Sequence, residues 1–338
     1  MKIAAFKSNK IRFKINKKIS MEFLIILFLI FFTFAFIKNP SKYISSVLNG
    51  IIVYGTKVLP SLFPFFFITK LLSEFNLVFI FFNQFKWFSK FFFNTSPISI
   101  YIFFMSIISG YPVGAKLVTE FYEKGLITQK EANKIITFSS TSGPLFIIGS
   151  VGIGFFNDFS LAIIVFISHV LGAFLNGILY RNKFKTEFLE QNFSKQTNGN
   201  ILDECMYNSI RSVLIVGGYI IIFYCLIDIL IDFKILFPFT YVLNKILGEN
   251  ATGFIAGLIE VTKGCLLISK SSTSFIQNAM LLSFIISFGG FSIHMQALTF
   301  LNKAKISKKF YFLQKITHAL ISMCIALLIC VIFKKFYW

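Results

Sequence analysis

Residues 109–116 read SGYPVGAK and follow directly on ISIYIFFMSII, residues 98–108. Apolar chain at membrane depth normally continues as helix, because every backbone N–H and C=O must find a partner without water. Here the chain meets two glycines, a proline and a lysine within eight residues. Glycine permits a turn, proline removes a donor, and lysine brings charge. Irregular backbone survives at that depth only where it is buried in protein or lines a polar cavity. The fold therefore turns on what surrounds this break.

The rest of the chain makes the membrane setting plain. Its 338 residues are 56% apolar and only 14% charged, with a mean hydropathy of +0.77, too apolar for one water-soluble core. The 48 phenylalanines suit lipid-facing filler and carry no functional weight. The net charge of +19 rests mostly on lysines between apolar runs, where they set orientation and meet anionic lipid. The expected partner is thus the lipid bilayer and not a nucleic acid. Cys205, Cys225, Cys265, Cys324 and Cys330 show neither CxxC nor Cys/His ligand spacing. They read as small hydrophobes, with no metal and no cofactor expected.

Seven Lys/Arg in the first twenty residues precede EFLIILFLIFFTFAFI (22–37), and IKNPSKY follows with no small-x-small cleavage site. An uncleaved first span with a cytoplasmic N-terminus is expected. Further apolar stretches fall at about 44–69, 75–93, 97–110, 145–180, 208–232, 251–268, 277–300 and 312–333. TKVLPSLFPFFF holds Pro60 and Pro64, which should kink or break its helix. Asn83, Gln84, Lys86 and Lys90 make 75–93 a short span that runs into an interfacial helix. The run 145–180 is too long for one crossing and holds GSVGIGFFND, so a re-entrant piece and then a span from about Leu161 fit better.

Between 116 and 138, Gly125 can end one helix in a left-handed cap, and Thr128 with Glu131 makes a capping box for the next. A polar helical hairpin at the membrane surface is expected there. Asp203 should cap a helix containing Arg211. The basic stretches at 181–202 and 303–309 favour the cytoplasmic side, whereas Lys334 and Lys335 pull the other way, so charge alone leaves the topology open.

The expected fold class is an all-α polytopic membrane protein, with broken helices and re-entrant hairpins in two repeat-like halves. Its parts are a basic N-terminus (1–20), a first span and loop (21–43), a first half (44–180), a polar loop (181–202) and a second half (203–338). The repeat is one of character. SGYPVGAK is followed about 32 residues later by STSGPLF (140–146), and GLIEVTKG (257–264) by FGGFSIH (288–294) at about the same interval. Matching interruptions in two halves point to a transporter site, where the free ends of broken helices meet.

The chemistry follows from those free ends. The N–H end of a half-helix attracts anions, by about 0.3–1 kcal/mol when exposed and about 2 when partly buried. Stripping a carboxylate of water costs several kcal/mol, so a second positive source is needed. Lys116 and Lys263 each sit inside a break. Glu260, an acid amid apolar sequence, should cost about 2.5–3.5 kcal/mol at a helix centre. Three readings stand for it: a proton-coupling or gating group, a structural pair with Lys263, or a shallow solvated position. His294 reads as a pH-sensitive or substrate-contacting group, or as a satisfied polar residue. His169 and His318 read as structural. Ser139, Ser140, Thr141 and Ser142 could bind substrate oxygens, cap the half-helix that follows, or both.

SGYPVGAK, GLIT-x-x-EA (125–132), TSGPLFIIGSVGIGFF (141–156), GLIEVTKG and FGGFSIHMQ (288–296) together resemble the YlbJ (SpoVV) family of sporulation integral membrane proteins. That family lies within the wider nucleoside-recognition or gate domain group. The resemblance runs from about residue 44 to 333, with the motifs in order. It implies a protein of spore-forming Firmicutes in the mother-cell-derived outer forespore membrane, moving dipicolinic acid toward the spore. It also implies an architecture similar to concentrative nucleoside transporters. Carried over by position, the substrate site takes in Ser109, Gly110, Tyr111, Pro112, Gly114 and Lys116 from the first break. It further takes in Thr141, Ser142, Gly143 and Pro144, then Glu260 and Thr262, and finally Gly289, Gly290, Ser292 and His294, while Ser140 and Lys263 join the candidate substrate site from their place in the breaks and not from the family pattern. The chain departs from the family pattern in carrying Ser140 where an asparagine is expected. Dipicolinate is a flat aromatic dianion, for which half-helix N-termini, hydroxyls and lysine are fitting partners and Tyr111 or Phe291 a stacking surface.

The alternatives are an ion-coupled transporter of nucleosides or other small solutes, and a non-transport sporulation scaffold that acts through a homo-oligomer or partner proteins. No GxxxxGK[ST], GxSxG or HExxH occurs, so neither an ATPase nor another enzyme is expected.

Overall fold

The computed structural model describes residues 17–75, 81–185 and 200–337, with no strand among them. Most of the basic N-terminus, part of the run 75–93 and most of the polar loop 181–202 lie outside the described residues.

The helices are α1 (Lys17–Lys38), α2 (Pro40–Val53), α3 (Leu59–Ser73), α4 (Ile98–Ser109), α5 (Val113–Glu123), α6 (Gln129–Ile135) and α7 (Phe159–Leu179). They continue as α8 (Ile201–Asp232), α9 (Phe237–Leu247), α10 (Asn250–Ile259), α11 (Val261–Ile268), α12 (Phe275–Phe288), α13 (Gly290–Leu301) and α14 (Lys308–Tyr337). Wider π-helical turns occupy Tyr54–Val58, Ser89–Phe93 and Leu145–Phe156. Among the described residues, four helical stretches are long and apolar enough to cross a membrane, or up to six if each of two bent pairs is one span. This is an all-α polytopic membrane protein.

The chain divides into two compact units, Met1–Ser45 and Ser46–Trp338. In the first, Phe28, Phe32 and Phe36 form a ladder at 5.9 and 5.2 Å, one helical turn apart. Large apolar side chains such as Phe23 and Ile30 are exposed there.

The second unit buries polar groups beside its apolar core and turns large apolar side chains outward. Leu214, Ile222 and Leu328 face outward, while Ser106, Ser168, Asn176, Gln314 and Lys315 are buried completely. Such a distribution suits a chain whose solvent is lipid, where polar groups must be satisfied inside. Two apolar clusters hold the unit together, and each draws on both sequence halves. One joins α3 to α6 with parts of α8 and α13; the other joins Leu145–Phe156 and α7 with α11, α12 and α14. The halves interlock instead of lying side by side as separate cores.

Local chemistry explains most of the boundaries. Pro60 opens α3 just after the π-helical turn, where a missing N–H costs least, whereas Pro64 sits inside α3 without ending it. Asn157 adopts a left-handed conformation, and Asp158 then caps α7 by accepting from Leu161 N–H at 2.9 Å. The run 145–180 thus divides where GSVGIGFFND predicts. Gly125, with φ of 69°, ends α5, and Leu126 N–H reaches back to Phe121 O at 2.9 Å. Thr128 caps α6 through Glu131 N–H.

One local expectation gains detail and one needs correction. The α5–α6 hairpin packs into the protein: Val118, Phe121, Glu131 and Ile135 are fully buried. Glu131 uses its carboxylate to accept Ser96 N–H at 2.6 Å, which ties the hairpin to the turn before α4. Asp203 does not cap α8 but lies in its first turn, because the helix starts two residues earlier.

Candidate functional site

SGYPVGAK breaks the helix as its residues dictate. Gly110 takes φ of 77°, Tyr111–Pro112 is cis, and α5 begins at Val113. The second break, at 139–144, runs antiparallel beside it. A Cβ on Gly110 would lie 2.6 Å from Gly143 N, and one on Gly114 only 1.6 Å from Ser139 O. Glycine is required at both places because backbone meets backbone. Ser106 and Thr141 hydroxyls join the two at 3.0 Å.

The third break is the tip of a tight hairpin. α10 and α11 fold back on each other, so that a Cβ on Gly264 would lie 2.2 Å from Gly257 Cα. Glu260 stands at the tip in extended conformation and accepts from Thr262 N–H at 3.0 Å and Lys263 N–H at 2.7 Å. The carboxylate thereby satisfies the free N–H end of its own half-helix. The fourth break uses two left-handed glycines, Gly289 and Gly290, and Gly290 packs on Gly257 O.

These four breaks meet around one cavity with about 600 Å³ of unfilled space, including its open mouth. Ser109, Gly110 and Tyr111 line it from the first break, and Ser142 and Gly143 from the second. Glu260 and Thr262 line it from the third, and Ile286 and Gln296 from helices that flank the fourth.

The remaining residues singled out in the sequence stand off the cavity. Pro112 precedes α5 and accepts Lys116 N–H at 3.0 Å. Lys116 turns its ammonium to Ser212 Oγ on α8, 2.9 Å away. Lys263 does not pair with Glu260; it pairs with Asp228 at 2.9 Å and lies 3.8 Å over the Tyr224 ring. Neither lysine is the positive source expected beside the cavity. Pro144 starts the π-helical segment, and no Ser or Thr side chain caps that segment, so the capping role expected of the hydroxyl cluster is not seen. Gly289 and Gly290 shape the turn, while Ser292 accepts from Gln296 at 3.3 Å. His294 is enclosed by Phe288, Phe312 and Tyr311, and both ring nitrogens lack a hydrogen-bond partner. It is therefore not the satisfied polar residue of one reading. Phe291 packs on His294 and Phe312 away from the cavity; Tyr111 alone of the two stacking candidates lines it.

A cluster behind the first two breaks was not legible as such. Lys315 on α14, fully buried, donates to Tyr111 Oη at 2.7 Å and to Ser140 O at 2.8 Å. Its ammonium lies 3.4 Å from His318 Nδ1 and 4.8 Å from the Tyr111 ring centroid. His318 Nε2 approaches His169 O at 3.0 Å, which fixes Nε2 as the protonated nitrogen and Nδ1 as the acceptor. His169 Nε2 accepts Ser142 N–H at 2.8 Å, so its Nδ1 donates to Ser287 Oγ at 2.7 Å. The two histidines expected to be merely structural thus tie α7 and α14 to the second break and to the end of α12. The only sequence signal was a lysine and a histidine one turn apart in an apolar helix.

No family model matches the chain. It is 28% identical over 323 residues to the sporulation integral membrane protein YlbJ of Bacillus subtilis (strain 168), a match that covers 87% of this chain and 79% of that protein.

Proposed function

We propose that this chain, which belongs to the family of that sporulation integral membrane protein, is a transporter or facilitator for a small organic dianion. Dipicolinate is the leading substrate and the mother-cell-derived outer forespore membrane the expected location. The observation that carries the reading is the meeting of four broken backbones on one cavity inside the protein. A membrane chain that needed only to span or to scaffold would gain nothing from such breaks, whereas a polar solute needs their unpaired ends. Ser109 and Gln296 bring polar side chains to the cavity, and Tyr111 offers an aromatic face. With no phosphate-binding loop in the sequence, the driving force is a gradient, downstream trapping or a partner protein.

One observation favours a second reading, an ion-coupled carrier of nucleosides or other small solutes. Glu260 brings a carboxylate to the cavity and occupies the N–H groups that an anion would otherwise use. A carboxylate there accepts hydroxyl donors and repels anions.

The test is a null strain assayed for dipicolinate in mother cell and spore. Accumulation in the mother cell with depleted spores is expected. Spores filled to the normal level overturn the dipicolinate reading. Equal spore content combined with lost uptake of a labelled nucleoside supports the second.

A further inference from the structure

Lys315 has every hydrogen bond an ammonium needs and, among the described residues, no opposite charge paired with it. Its three donors meet three acceptors, Tyr111 Oη, Ser140 O and His318 Nδ1. Among the described residues no carboxylate forms an ion pair with it. The titratable groups that face it are Tyr111 at the first break, His169 on α7, and His318 on its own helix. His294 on α13 and Tyr311 pack against each other beyond Ser140. None of these carries a negative charge at neutral pH. An uncompensated ammonium in a protein interior is costly, and the cost falls when an anion comes near.

That anion has a defined approach. Tyr111, whose Oη accepts from Lys315, also lines the cavity, and Ser142, which lines it too, donates its N–H to His169. We propose that Lys315, backed by His318 and His169, is a proton-binding site coupled to anion occupancy of the cavity. The anion and the proton then travel as a pair. Coupling of this kind is reciprocal: the bound anion favours the protonated lysine, and the protonated lysine favours the anion. No bond is made or broken beyond one proton, which is taken from solvent on loading and returned on release. The inference rests on the anion-transport reading above.

The purified full chain is titrated calorimetrically with dipicolinate at neutral pH, in buffers of different ionisation enthalpy. The slope gives protons taken up per anion bound. The wild-type protein is expected to take up about one proton for each anion. Lys315→Met should bind at least tenfold more weakly, with the uptake lost. Lys315→Arg carries a permanent charge and should bind the anion without uptake; it decides the matter if Lys315→Met fails to fold. Wild-type binding with no proton uptake overturns the inference while leaving the anion reading intact. So does uptake that persists in Lys315→Arg. No binding of dipicolinate by folded wild-type protein overturns the anion reading itself.

Discussion

Lys263 reaches past its near neighbour Glu260 and pairs with Asp228, thirty-five residues earlier on α8, at 2.9 Å. The two acids of this region therefore do separate jobs. Glu260 closes the backbone of the hairpin tip, and Asp228, which also accepts the Ser46 hydroxyl, anchors the tip to a long helix.

Asp228→Asn should loosen that anchor. The Lys263 side chain is 10% exposed and that of Asp228 25%, between the surface case and the fully buried one. A loss of about 1–3 kcal/mol is expected. Thermal unfolding in detergent, with Lys263→Met and the double variant, measures the coupling. Additive single losses would mean that the pair does not act as a unit.

Removing the cap at the hairpin tip separates the two functional readings. Glu260→Ala should cost about 0.5–2 kcal/mol of stability and free two N–H groups at the cavity. Under the anion reading, dipicolinate binding strengthens or holds. Under the ion-coupled reading, uptake of the solute is abolished. Binding isotherms and vesicle uptake on the same preparation tell them apart.

Gly114→Ala puts a methyl group where Ser139 O already lies, 1.6 Å away. Backbone cannot yield as a flexible side chain does, so a loss of at least about 1–3 kcal/mol is expected. Gly125→Ala meets no atom within 4 Å but holds φ of 69°, which makes it the milder change, at about 1 kcal/mol. The melting temperatures should rank wild type, Gly125→Ala, Gly114→Ala. A reversed order would contradict the packing of the first two breaks.

Lys116→Ala should spare transport. Its ammonium bonds Ser212 and lies off the cavity, so the expected effect is a stability loss of about 1 kcal/mol. Flux that falls tenfold in correctly inserted protein would return this lysine to the substrate path.

Much of the architecture was legible because local rules set it. Hydropathy marked the apolar runs, Gly125 and Thr128 placed the hairpin ends, and GSVGIGFFND located the division at Asn157 and Asp158. The four breaks were visible for the same reason: glycine, proline and charge cannot hide in an apolar helix. Their convergence on one cavity was predicted from the repeat of character and is present in the fold.

What the residues along the chain could not disclose was the partner of each charge. Sequence neighbours suggested Glu260 with Lys263, and the presence of Lys116 in a break suggested that it faced the site. Side-chain direction decided otherwise, since a helix aims its residues by rotation and the packing of α8 decides which face receives them. Lys315 and His318 carried no local mark, because an isolated polar residue in an apolar helix is equally compatible with many environments. Only the packing of α14 against α7 and α12 brings them to Tyr111 and Ser140. The sequence by itself determined that the backbone breaks four times inside a membrane protein, because backbone hydrogen bonding is a local constraint. The tertiary structure decided which charges stand behind those breaks, because a buried charge is placed by contacts across the fold.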